Sequence, residues 1–205
     1  CPELGVGVPV GKDSLSMRTK WTDGDGVARQ VTSPVSLVVS AFATVDDVRG
    51  TLTPVLAGPA TGYAAPTVLL LVDLGRGRAR VGGSILAQVA GGDSSFGGPV
   101  PDLDDPSLLV GLVGAVNELR SAGVVLAYHD RSDGGLWATV CEMAFAGNTG
   151  VAVDLSTVVS GDAGAEKRAV RALFAEELGV VVQVPAAEVG HEMATFAAYG
   201  LGECT

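Results

Sequence analysis

The apolar positions of the chain follow two periods. Thr67-Val68-Leu69-Leu70-Leu71-Val72-Asp73 is a short continuous apolar run, the form of a strand buried on both faces. Val124-Val125-Leu126-Ala127-Tyr128 has the same form, Val151 to Leu155 predicts another strand, and Leu178 to Val184 the last one. Helical spacing alternates with these runs. Leu108, Leu109, Leu112, Val113, Val116 and Leu119 make one wide stripe. It is opened by Asp105-Pro106, a cap and a first-turn proline, and stopped at Ala122-Gly123. Leu136, Val140, Met143 and Ala144 fall at i, i+4, i+7 and i+8, and Asn148 to Gly150 end that helix. Further helices are predicted over 82–89, 164–176 and 185–199, the last with Gly200 as its cap.

From residue 67 the order is therefore β-α-α-β-α-β-α-β-α, which predicts an α+β fold, a layered α/β sandwich. The first sixty residues read differently. Val6, Val8 and Val10 alternate with Gly and Pro ahead of a polar turn, Gly11 to Ser14. Asp23-Gly24-Asp25-Gly26 signals a hairpin, 34–45 predicts a Val-rich strand, and Asp46 to Gly50 a single helical turn. These strands cannot close a core alone. The aperiodic Pro/Gly/Ala stretch 54–66 is the expected linker, so 1–60 and 67–205 are expected to be separate domains.

Charge narrows the partners. With 13 basic and 23 acidic residues the net charge is −10, which argues against nucleic acid held on a broad basic surface. No apolar run approaches the roughly 20 residues of a membrane helix. Cys1, Cys141 and Cys204 form no CxxC pair, and with no leader-like segment the expectation is reduced thiols in the cytoplasm. The chain opens on Cys1 rather than Met, which reads as part of a longer polypeptide.

Candidate chemistry concentrates in His129-Asp130-Arg131-Ser132-Asp133-Gly134-Gly135, between a predicted strand and a predicted helix. The first amides of a helix lack intrahelical partners and attract anions, and glycines let a ligand come close. Asp130 and Asp133 offer hard oxygen ligands suited to Mg²⁺ carried on a nucleotide. Ser132 can donate to a phosphate or ribose, or it can simply cap the helix. Local chemistry does not separate a ligand site from a capped helix start. His129 reads as a support of the turn rather than a general base. Glu176 and Glu177 read as helix-end charges, and Gly75-Arg76-Gly77-Arg78 as a solvated turn.

HDRSDGG followed by EMAFAG resembles the signature of phosphoribosylformylglycinamidine synthase, in its large single-chain form. That family shares a superfamily with aminoimidazole ribonucleotide synthetase. PVGKDSLSMRTKW (9–21), TSPVSLVVSAFATVDDVRGTLTP (32–54) and LFAEELGVVVQV (173–184) agree with the same family in the same order. The resemblance implies that 1–60 is the tail of a synthetase N-terminal domain and 67–205 its C-terminal domain. It implies a ligase of de novo purine biosynthesis, which converts formylglycinamide ribonucleotide to the amidine with ATP and glutamine. The cofactors implied are Mg²⁺ and ATP or ADP, with Asp130 as a metal ligand and Ser132 as a nucleotide contact, at an auxiliary rather than a catalytic site. Ammonia would come from a glutaminase domain of the same polypeptide, and this chain alone is expected to be inactive. Other readings are a different member of the superfamily and a non-catalytic nucleotide-binding module.

Overall fold

The computed structural model describes residues 2–12, 17–33, 37–92, 96–156 and 164–205. Part of the expected turn at 11–14 and the start of the expected strand at 34–45 lie outside the described residues. The chain divides into two compact units, 1–48 and 49–205.

In the first unit β1 (Arg18–Thr22) and β2 (Ala28–Thr32) form the hairpin signalled by Asp23 to Gly26, in register Thr22↔Ala28. Asp23 organises the turn by accepting from the amides of Asp25 and Val27 and from Arg29 Nε at 2.7 Å. The Val27 amide first, and then Arg29, hold its carboxyl below the usual carboxylate range. The expected strand over 34–45 is absent across its described part, 37–45, where Leu37, Val38 and Phe42 are about nine-tenths exposed. A strand needs a neighbouring edge to take its backbone groups, and within the described residues of this unit no edge pairs with the run.

The second unit is built on a sheet of order β3-β5-β4, antiparallel throughout among the described residues. Its strands are β3 (Thr67–Asp73), β4 (Ala127–Asp130) and β5 (Gly179–Pro185). β5 is central and buried from Gly179 to Val184, which explains its largely apolar sequence; its one polar residue, Gln183, is buried with its amide hydrogen-bonded. Its residues alternate between two cores. Val180, Val182 and Val184 face α2 (Pro106–Ala122) and α5 (Val189–Ala198), packing with Leu108, Leu112, Leu119, Phe196 and Leu201. Val181 faces α3 (Gly135–Gly147), packing with Ala127, Met143 and Leu56.

The caps follow the sequence at α2, where the Asp105 carboxylate accepts from Ser107 N at 2.9 Å, Pro106 leads, and Gly123 closes the helix with φ +74°. Two further α-helices among the described residues are α1 (Ile85–Val89), capped by Ser84, and α4 (Ala165–Phe174). Two expectations differ. Val151 to Leu155 form no ladder. The Pro/Gly/Ala stretch lies in the second unit: Ala57 N donates to Gln183 Oε1 at 2.7 Å, Gln183 Nε2 donates to Ala57 O at 2.8 Å, and Leu56 is 2% exposed.

Candidate nucleotide site

β4 ends at Asp130 and α3 begins at Gly135, leaving Arg131 to Gly134 as the turn. Neighbouring residues of this turn point in opposite senses and do different work. Arg131 goes inward, with a side chain only 3% exposed. Its Nε donates to Glu177 O at 2.6 Å and its Nη2 to Leu178 O at 3.1 Å and to the Asp73 carboxylate. Asp73 also accepts from Gly75 N and Gly77 N, so the arginine rivets the turn to the ends of β3 and β5. None of its bonds faces outward.

The two glycines serve the fold. Gly134 and Gly135 both hold positive φ, +84° and +65°. A Cβ on Gly135 would lie 2.8 Å from the carbonyl oxygens of Leu173 and Ala175, so the close approach is to the protein's own chain rather than to a ligand. The capped-start reading fails in its simple form too. The residue at the cap position of α3 is Gly134, with no side-chain cap bond, and Ser132 takes part only through its carbonyl, which accepts from Gly135 N at 2.9 Å.

The acceptor for the start of α3 comes from elsewhere. Glu176 Oε1 receives Gly134 N at 2.9 Å and also Ile85 N at 3.0 Å, joining the turn to the first residue of α1. Its neighbour Glu177 is 1% exposed and receives Arg80 N, Nε and Nη2 at 2.7–2.9 Å. Arg80 also pairs with Asp104. Glu177 is the main cause that raises the Arg80 guanidinium above its already high ordinary value, and Arg80 in turn holds Asp104 below the carboxylate range. The expectation of two helix-end charges is therefore corrected. α4 stops at Phe174, and in the non-helical link to β5 adjacent side chains diverge, one to each network.

What remains outward is Asp130, Ser132 and Asp133. The Asp130 side chain is 65% exposed and lies 3.5 Å from His129 Nδ1. His129 is itself tied through Nε2 to Glu142 at 2.8 Å, as suits a support of the turn. No side-chain bond engages the Ser132 hydroxyl or the Asp133 carboxylate among the described residues. Burial first, and the Asp130 charge second, raise the Tyr128 hydroxyl above its ordinary value. Tyr128, Asp130 and Arg131 line a cleft of about 390 Å³ together with Leu109, Val113 and Asn117 of α2.

Among the described residues no group of three or more His, Cys, Asp or Glu side chains could hold a metal ion. A cation caged by the protein alone therefore does not fit this turn. A cation shared with nucleotide phosphates, which asks for one or two carboxylates, does fit the solvent-facing Asp130.

The model of the AIR synthase related protein, C-terminal domain, matches residues 67–205. The chain belongs to this AIR synthase related family. A second family model, the FGAR-AT PurM_N-like domain, matches residues 1–44. The two matches together support a relation to FGAR amidotransferase within the AIR-synthase-like, ATP-binding superfamily. The mixture of helices with antiparallel strands agrees with the α+β fold of that family's C-terminal domain. No helix among the described residues is long and apolar enough to cross a membrane.

Sequence reasoning singled out Asp130 and Ser132, and the fold leaves both facing solvent on the same turn. It missed the inward role of Arg131 and the bridge made by Glu176. The sequence signal for Arg131 was weak, though an arginine between two aspartates leaves room for one to pair with it. For Glu176 the signal was the adjacency of two glutamates just before a mostly apolar strand.

Proposed function

We propose that the chain supplies a Mg²⁺-nucleotide site to a phosphoribosylformylglycinamidine synthase. That ligase forms the amidine of formylglycinamide ribonucleotide, using ATP to activate the amide oxygen and ammonia released from glutamine by a glutaminase domain of the same polypeptide. The observation that carries the reading is the division of labour in the turn. Arg131, Gly134 and Gly135 are committed to the fold, whereas Asp130 and Ser132 are carried by that frame and face solvent, Asp130 with His129 Nδ1 at 3.5 Å.

In this reading Asp130 holds a Mg²⁺ ion that arrives on the nucleotide phosphates and offsets their charge. Ser132 donates to a phosphate or ribose oxygen. The remaining contribution of the chain is to keep both groups at a set place without reorganisation when ligand binds.

The test is calorimetric titration of the full chain with ADP, with and without Mg²⁺, for the wild type, Asp130→Asn and Ser132→Ala. Expected is Mg²⁺-dependent binding that Asp130→Asn weakens at least tenfold, with a smaller loss for Ser132→Ala. Equal affinity in wild type and Asp130→Asn would remove the site from this turn.

A further inference from the structure

We infer that Glu176 is the positioning residue of the nucleotide turn. This rests on the reading of Asp130 and Ser132 just given and names the group that holds them in place. One oxygen of one carboxylate collects two backbone amides from separate glycine-rich segments, Gly134 N at 2.9 Å and Ile85 N at 3.0 Å. The first is the residue between Asp133 and the start of α3. The second opens α1 directly after Gly82-Gly83-Ser84.

Three features make this bridge a determinant of the turn rather than one bond among many. Among the described residues the amide of the left-handed Gly134 has no acceptor other than Glu176. Glu176 itself is fixed on its C-terminal side by Glu177, which Arg80 holds with three bonds. On its N-terminal side the Leu173 and Ala175 carbonyls pack against Gly135, where no side chain would fit. The carboxylate is thus aimed at the turn by a frame that cannot easily shift. Arg131 secures the inner side of the turn and Glu176 its end at Gly134. A charged acceptor on a backbone amide is also stronger than a neutral one.

The consequence is that Ser132 and Asp130 keep their spacing only while Glu176 is in place, and that the segment opening α1 moves with the nucleotide turn. Groups that orient binding residues from one step away typically change affinity by about 10- to 100-fold when removed.

The experiment compares Glu176→Ala, Glu176→Gln and Glu176→Asp in the full chain. The readouts are Mg²⁺-ADP affinity by calorimetry, unfolding midpoint, and hydrogen exchange at the Gly134 and Ile85 amides by NMR. Expected is about tenfold weaker binding for Glu176→Ala, with faster exchange at both amides together. Glu176→Gln keeps an acceptor oxygen and should restore affinity to within a few-fold of wild type. Glu176→Asp keeps the charge but withdraws the oxygen by one methylene, so it should bind like the alanine variant, and it serves if that variant does not fold.

Wild-type affinity in a folded Glu176→Ala or Glu176→Asp, alongside lost binding in Asp130→Asn, would overturn the role of Glu176 and leave the site standing. Unchanged binding in Asp130→Asn would overturn both. Loss of protection at Gly134 with Ile85 unaffected would refute the coupling between the two segments.

Discussion

Arg131 offers the sharpest test of how the turn is built, because an arginine beside a presumed anion site invites the opposite interpretation. Consider Arg131→Met, which keeps much of the length and removes the charge. Three donations disappear, to Glu177 O, Leu178 O and Asp73, and the Asp73 carboxylate, only 18% exposed, loses its cation. Breaking a buried pair by removing one partner costs about 3–5 kcal/mol. Asp73 keeps the amides of Gly75 and Gly77, which places the expected loss near the lower end, about 3 kcal/mol. A domain is stable by only about 5–15 kcal/mol, so this is a large share. In urea, with a slope of about 1–3 kcal/mol per molar, the midpoint should fall by roughly 1–3 M without a change of slope. Adding Asp73→Asn to the methionine variant should cost much less than the same change in wild type, since the two side chains share one interaction. A methionine variant within about 0.5 kcal/mol of wild type, the ordinary range for surface changes, would refute the reasoning. So would intact stability with Mg²⁺-ADP binding abolished, because the arginine would then face the ligand.

Two further outcomes follow from other residues. Glu192 on α5 is fully buried, and among the described residues neither carboxylate oxygen has a hydrogen-bond partner, so Glu192→Leu should raise stability by about 1–3 kcal/mol in urea unfolding; a loss of stability would reveal a partner for the carboxylate. The Tyr128 hydroxyl is raised by burial first and Asp130 second, so the fold favours the neutral phenol. Its contribution is complete below the unfolded value of about 10 and is lost as pH rises through the higher folded value. Absorbance titration near 295 nm, with Tyr128→Phe as the blank, should show late ionisation that Asp130→Asn brings only part of the way down; ionisation at the ordinary value would contradict the geometry.

The sequence was most legible where a pattern is local and self-contained. The stripe from Leu108 to Leu119 with Asp105-Pro106 and Gly123 located α2 to the residue, and β3 likewise. The strands that failed, 37–45 and 151–155, have strand-like composition, but a strand exists only where another offers its edge, and composition does not carry that information. The candidate site divided in the same way. Asp130 and Ser132 could be chosen from the chemistry of a short motif. The inward turn of Arg131 depends on Asp73, 58 residues earlier, and the bridge of Glu176 on Gly134, 42 residues before it. Glu176 and Glu177 were also placed on a helix that ends two residues sooner, which hid the fact that they point apart.

The stretch 53–58 bears on how this sheet behaves among other molecules. β4 is an outer strand, and an outer strand with free amides can template pairing with another chain. Here Thr53 O takes the Tyr128 amide at 2.9 Å, on the side of β4 away from β5, and Pro54 follows with no amide to offer a newcomer. Four residues on, the Gln183 side chain pairs with both backbone groups of Ala57 as a neighbouring peptide would. What composition marks as a tether thus acts as a selvedge, finishing the border of the sheet against fraying and against aggregation with its own kind.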